Sequence, residues 1–174
     1  MNQVRKLVNP IKYYRSLGVE IGERVRFTGS PSWGSEPWLI SIGSDVLITN
    51  GVSFHTHDGM VHSLVRLDEK YKNIIKFGKI VIEDGCSIGA GARIMPNICI
   101  GEGSIVAAGA IVTKDVPPHS VVAGIPARVI CSVEDMADKW LLRTPEYDTK
   151  LLDNSLKLGS IDIAEKYWKS THEL

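Results

Sequence analysis

The sequence predicts a mainly β fold, a coiled prism of six-residue repeats that is interrupted once by a loop insertion and followed by a C-terminal helical extension. Three observations predict it. Between residues 82 and 117 apolar residues recur at every sixth place, as Ile82, Ile88, Ile94, Ile100, Val106 and Val112. Three places after each stands Gly85, Gly91, Asn97, Gly103, Gly109 or Asp115, the types that best tolerate positive φ at a tight corner. One place further come Cys86, Ala92, Ile98, Ser104, Ala110 and Val116, mostly small enough to sit inside a corner. An amphipathic helix repeats every 3.6 residues and a half-buried strand every 2, so a strict period of six fits neither. Each hexad can supply one short strand and one corner, and three hexads complete a triangular coil. Such coils stack at roughly the 4.8 Å spacing of paired strands, and their apolar places merge into one core.

From the N-terminus, Asn9 and Pro10 read as a cap and first helical residue and Gly18 as a stop, which predicts a short helix over Ile11 to Leu17. A weak first repeat begins at Ile21, with Gly22 and Val25 in place and Arg24 at the turn. Good repeats begin at Ile42 and Ile48, with Asp45 and Gly51 at the turns and Val46 and Val52 after them. Trp33, Trp38 and Tyr13 are candidates for an acceptor-site wall, with core or subunit packing the commoner fate of such residues. Phe54 and Ile82 are 28 residues apart, not a multiple of six, so a loop insertion over about 55–79 leaves the coil and returns. After Cys131 the hexads stop. Ser132 with Asp135 resembles a capping box, Thr144 with Pro145 opens a second helix, and Ser160 opens a third carrying Ile163, Tyr167 and Trp168. The expected division is a repeat domain over 1–131 and a helical extension over 132–174.

Composition excludes several classes. The 174 residues carry 20 basic and 20 acidic side chains, so nothing in the net charge points to nucleic acid or an anionic membrane. No apolar stretch approaches the roughly 20 residues of a membrane span, and the N-terminus lacks a signal-peptide core, so a cytoplasmic protein is expected. Cys86, Cys99 and Cys131 are odd in number and lack a CxxC spacing; all three are expected to be reduced, and at least two to fill the core. There is no GxxxxGK[ST] loop and no strand-linked GxGxxG, which leaves nucleoside triphosphate and dinucleotide binding unsupported.

The insertion holds His55, His57 and His62, three of five histidines. Loops on rigid scaffolds often carry function, and an imidazole titrates near neutral pH, so a histidine here can take a proton from an attacking hydroxyl or amine. His55 and His57 are two residues apart and would face one side of an extended segment. Asp58 could orient or charge-stabilise a neighbouring imidazole, and a backbone carbonyl could serve as well.

The hexads resemble the hexapeptide-repeat family, which implies a left-handed parallel β-helix. Thr56, His57, Asp58 and Gly59 resemble the Thr-His-Asp-Gly loop of sugar and polysaccharide acetyltransferases in that family, and on that resemblance His57 is the expected general base, with His55 the alternative. The segment from Ala107 to Ile130, AAGAIVTKDVPPHSVVAGIPARVI, resembles the end of the coil in galactoside and maltose acetyltransferases. The resemblance implies acetyl-CoA as co-substrate, with Ala90 and Ala108 along its pantetheine arm and Thr113, Lys114 and Arg128 at its phosphates; Lys and Arg suit such oxygens chemically. It also implies a homotrimer with active sites between subunits and a saccharide hydroxyl as acceptor, in capsule or other surface-polysaccharide synthesis. N-acetylation of an amino sugar or acetylation of an antibiotic is an alternative. So is a metalloenzyme like the γ-class carbonic anhydrases, since His57 and His62 have a similar spacing, although no histidine precedes His55 to complete that ligand set; no metal is expected.

Overall fold

The computed structural model describes residues 9–144, 146, 163–166 and 168–169. Its first element is helix α1 (Pro10–Ser16). The Asn9 side chain accepts the Lys12 N–H at 2.9 Å, and Pro10 takes a first-turn place where no N–H is needed. The hexads follow as very short strands, because a corner comes every six residues. They are β1 (Glu20–Ile21), β2 (Arg26–Phe27), β3 (Ile40–Ile42), β4 (Leu47–Ile48), β5 (Ser53–Phe54), β6 (Ile80–Ile82), β7 (Ser87–Ile88), β8 (Arg93–Ile94), β9 (Ile98–Ile100), β10 (Ile105–Val106) and β11 (Ile111–Val112).

These strands form three parallel sheets that the chain visits in the same order, turn after turn. The first sheet is β1-β3-β6-β9, the second runs β2-β4-β7-β10, and the third is β5-β8-β11. Strand β12 (Ser120–Gly124) extends the second sheet in parallel, and β13 (Ala127–Ser132) folds back antiparallel on it as a hairpin. The register fixes the length of each turn. Ile82 pairs with Ile100, Ile88 with Val106 and Ile94 with Val112, each eighteen residues on. Ile42, Ile48 and Phe54 pair with Ile82, Ile88 and Ile94, forty residues on, so the insertion adds twenty-two. Ile21 pairs with Ile42 and Phe27 with Ile48, twenty-one residues on. That first turn carries three extra residues between Trp33 and Ile40, partly as the 3₁₀ turn Pro37–Leu39.

The periodic apolar side chains point inward, and Ile48, Ile88, Ile94, Ile100 and Val106 have no solvent exposure. Tyr14, Phe27, Trp33 and Phe54 plug the first turns, with Trp33 stacked on Phe54 at 5.1 Å and Tyr14 edge-on to Trp33 at 4.9 Å. Of the aromatic wall candidates, Trp33 is therefore core, Tyr13 packs partly against it and Trp38 is exposed. Only one of the three cysteines fills the core: Cys86 is fully buried, while Cys99 and Cys131 are partly exposed because they occupy outward places on β9 and β13. All three are free thiols.

Seven of the eight turn places adopt positive φ, between 57° at Asp45 and 72° at Gly51. The eighth, Asp115, does not. Val116 bridges to Ile100, sixteen residues back, so this corner is two residues shorter, and the Asp115 carboxylate accepts the Cys99 N–H at 2.8 Å. Arg24, at the turn of the weak first repeat, does take φ 54°, and its guanidinium forms a two-point pair with Asp45, the turn residue stacked on it.

The chain divides into two compact units, Met1–Val133 and Glu134–Leu174. Helix α3 (Val133–Arg143) opens the second, where Trp140, Leu141 and Leu142 are exposed. Residues 163–166 and 168–169 are helical, with Trp168 exposed. Pro145, Ser160 and Tyr167, named in the sequence reading of this tail, lie outside the described residues. No described helix is long and apolar enough to cross a membrane.

Candidate active site

The insertion leaves the coil from the third sheet and is closed at its neck by a short antiparallel ladder. His57 bridges Phe77, the Asp58 N–H donates to the Lys76 carbonyl at 3.0 Å, and the Gly78 N–H donates to the Thr56 carbonyl at 2.9 Å. Beyond the neck lie one α-helical turn, α2 (Val61–Leu64), and the 3₁₀ turn Glu69–Tyr71, with Met60, Leu64, Leu67 and Ile75 exposed, as is Phe77 in the neck itself. The histidine that the ladder holds at the rim is His57. Its side chain is 41% exposed, and its ring lies 5.8 Å from that of Phe77, tilted by 53°.

On its inner side His57 meets a carboxylate that sequence reasoning missed. Glu36 Oε2 lies 2.8 Å from His57 Nδ1 and accepts the Thr56 hydroxyl at 2.6 Å. Thr56 is buried and the Glu36 side chain is 17% exposed. The Thr56 hydroxyl and then the His57 ring hold the Glu36 carboxyl below its ordinary range. Glu36 comes from the three extra residues of the first turn. Gly34 begins that excursion at φ 67°, with its α-carbon so close to the Phe54 carbonyl and the Thr56 hydroxyl that a Cβ would lie 3.0 and 3.1 Å from them. A Glu in an unpatterned segment gives no periodic signal, and twenty-one residues separate it from His57.

Asp58 is placed elsewhere. One oxygen accepts the Met60 N–H and the other the Lys76 ammonium, both at 3.0 Å, and these bonds lower its carboxyl as well. It braces the loop, while Glu36 takes the imidazole. His55 donates its N–H to the Ile94 carbonyl, its Nε2 is buried with no hydrogen-bond partner, and the residue is less exposed than His57. His62 sits on α2. The three histidines do not converge, and among the described residues no group of three His, Cys, Asp or Glu side chains could hold a metal ion.

The remaining site candidates fall at the two corners that bound the third sheet. Met95 donates to the Val112 carbonyl as His55 does to Ile94, so His55, Met95 and Thr113 stack in one column, with Thr56, Pro96 and Lys114 next to it. Thr113 and Lys114 thus share the corner of His57, two turns or about 10 Å along the axis. The opposite corner carries Ala90 and Ala108, both exposed and linked by the Gly109 N–H, which donates to the Ala90 carbonyl at 2.8 Å. Val122 pairs with Val106, so the hairpin passes alongside this corner, and Arg128 pairs with Ala123 on it. Arg128 donates to the Ala127 carbonyl at 2.8 Å. Between the corners the sheet shows Ser53, Arg93 and Ile111 in outward places. A separate cavity of about 400 Å³ lies along the first sheet, where Glu83, Asp84 and Glu102 make it a poor host for anions.

Comparison with known proteins gives concordant matches. The family described as bacterial transferase hexapeptide (six repeats) matches residues 79–114. Protein CapG of Staphylococcus aureus is 41% identical over 154 residues, which cover 87% of this chain and 81% of that protein. The solved structure of a galactoside acetyltransferase in complex with coenzyme A aligns with a TM-score of 0.60 at 25% identity, over 76% of this chain and 74% of that one. That of the polySia-specific acetyltransferase NeuO aligns at 0.56 and 30% identity, over 66% of this chain and 51% of that one.

Proposed function

Because the chain belongs to the bacterial hexapeptide-repeat transferase family, we propose that it is an acetyltransferase that moves an acetyl group from acetyl-CoA to a saccharide hydroxyl, with His57 as general base. The observation that carries this reading is the placing of His57 at the rim of the insertion, on the same corner as Thr113 and Lys114 and across the third sheet from Ala90 and Ala108. The exposed small side chains let a pantetheine arm lie close to the backbone. Lys114, Thr113 and Arg128 supply the donors that a pyrophosphate and a 3′-phosphate need. The closed, left-handed β-helix of the family belongs to the same reading, and the fixed order of the three sheets supports it. So does a catalytic body over 1–131 with an extension over 132–174, in keeping with the compact units Met1–Val133 and Glu134–Leu174.

In the reaction, His57 removes the proton of the acceptor hydroxyl as the oxygen attacks the thioester carbon. The tetrahedral adduct collapses with cleavage of the C–S bond, and the imidazolium returns its proton to the departing CoA thiolate. Products are an O-acetyl ester and CoA, and no acyl-enzyme forms. A saccharide acceptor, in surface-polysaccharide synthesis, is supported by the sugar substrates in the names of the galactoside and polySia acetyltransferases. We extend the trimer of the family to this chain, with sites between subunits; light scattering that finds a stable monomer would count against it.

The test is steady-state kinetics with acetyl-CoA and a panel of methyl glycosides. His57→Ala is expected to lower kcat by roughly 10²–10⁴-fold with little change in CoA affinity. A fully active variant would remove His57 from the mechanism. Calorimetry with Lys114→Ala and Arg128→Ala combined is expected to show weakened CoA binding, and unchanged binding would displace the phosphates from these residues.

A further inference from the structure

We propose that Glu36 is a positioning residue that fixes the tautomer of His57, an inference that rests on the reading of His57 as the base. A general base must present a lone pair to the acceptor, and neutral imidazole has one on only one of its two nitrogens. Which nitrogen holds it is set by the bond the other makes. Here Nδ1 faces Glu36 Oε2 at 2.8 Å. That same oxygen receives the hydroxyl of Thr56 at 2.6 Å.

The Thr56 hydroxyl that donates to this oxygen favours the ionised carboxylate, which accepts and cannot donate, and the carboxyl is held below its ordinary range. The proton of the neutral ring therefore sits on Nδ1. Nε2, at the far side of a ring that is 41% exposed, keeps its lone pair for the acceptor. When His57 receives the acceptor proton, the imidazolium forms beside a negative charge that is already in place.

The geometry is held from two sides, the start of the insertion and the first turn of the coil. Thr56 is 1% exposed, so its hydroxyl is a fixed anchor for the carboxylate. The backbone that carries Glu36 is set by Gly34 on one side and the 3₁₀ turn Pro37–Leu39 on the other. Glu36 thus reaches His57 from the first turn of the coil, while Phe77 meets the ring from the neck of the insertion.

The experiment is ¹⁵N–¹H NMR of the imidazoles in uniformly labelled protein at about pH 8, where an ordinary imidazole is neutral, with His57 assigned by loss of its signals in His57→Ala. Wild-type protein is expected to show the Nδ1–H form at His57, and Glu36→Gln, whose amide can donate to Nδ1, to move it towards Nε2–H. With acetyl-CoA and methyl β-D-galactoside, Glu36→Gln is expected to lower kcat about 10- to 100-fold with KM for acetyl-CoA unchanged, and Glu36→Asp to lose less. An Nε2–H form in the wild type overturns the proposal, and so does a Glu36→Gln protein that keeps Nδ1–H and full kcat. The tautomer is read without turnover, so it decides the role of Glu36 even if that glycoside is not acetylated. Full activity of His57→Ala would instead sink the assignment of the base.

Discussion

At the scale of single residues, the fold depends on backbone atoms coming closer than side chains allow. Gly89 follows the inward Ile88, and a Cβ on it would lie 2.4 Å from the Ala108 nitrogen and 2.7 Å from the Ala107 carbon, both main chain of the next turn. Gly89→Ala is therefore expected to destabilise the protein by roughly 1–3 kcal/mol, as overpacking does, read as a lower midpoint in urea at unchanged slope. A midpoint equal to wild type would mean that the turns can spread at no cost. Arg24 and Asp45 show the opposite accommodation, since both take positive φ without being glycine and offset part of that strain by pairing with each other. Cys86 is sealed in the same stack, where burial pushes its thiol up to about 11. A thiol reagent at pH 8 is expected to leave one of the three cysteines unmodified until denaturant is added, and rapid loss of all three would show that the core opens locally.

At the scale of elements, the insertion is latched by carboxylates whose acidities are lowered by their bonds, Glu36 to Thr56 and His57, Asp58 to Met60 and Lys76. A lowered value contributes stability that is present above the unfolded value, about 4.3 for Glu and 3.9 for Asp, and is lost as pH falls through the folded one. The neck is thus expected to loosen on acidification before the coil does. Exchange of the Asp58 and Gly78 amides, corrected for its intrinsic pH dependence, should accelerate between pH 5 and pH 3 more than that of Ser87, and less so in Asp58→Asn. Equal acceleration at all three would place the weak point elsewhere. The same elements show what could be read in advance. The period of six announced the strands and seven of the eight turn conformations, because each hexad repeats one local solution. Asp115 escaped because the coil shortens by two residues there, and Glu36 because a contact across twenty-one residues leaves no mark on local pattern. His57 could be singled out by type and setting. That Glu36 and not Asp58 reaches its ring follows only from the stacking of one turn on another.

At the scale of the whole molecule, each inner turn is held only by the turns above and below it, so stability is expected to be graded along the axis. Amides of Arg93 and Met95, with paired turns on both sides, should exchange more slowly than those of Arg26 and Thr28 in the first turn. Uniform protection would instead indicate a single cooperative unit. A deeper consequence follows from the count of residues between paired strands. The chain departs after β5 and re-enters at β6 with the next layer in register, although twenty-two residues have been interposed. Departure and return are neighbours, joined by the Gly78 to Thr56 bond, so the scaffold does not sense what lies between them. Entropy of closure grows only slowly with length, and the segment is free to lengthen, shorten or be exchanged for that of another lineage. On the proposed function, new acceptors can therefore be tried at this doorway by grafting only the part of the segment beyond the bridge of His57 to Phe77, which leaves the proposed base and donor face as they are.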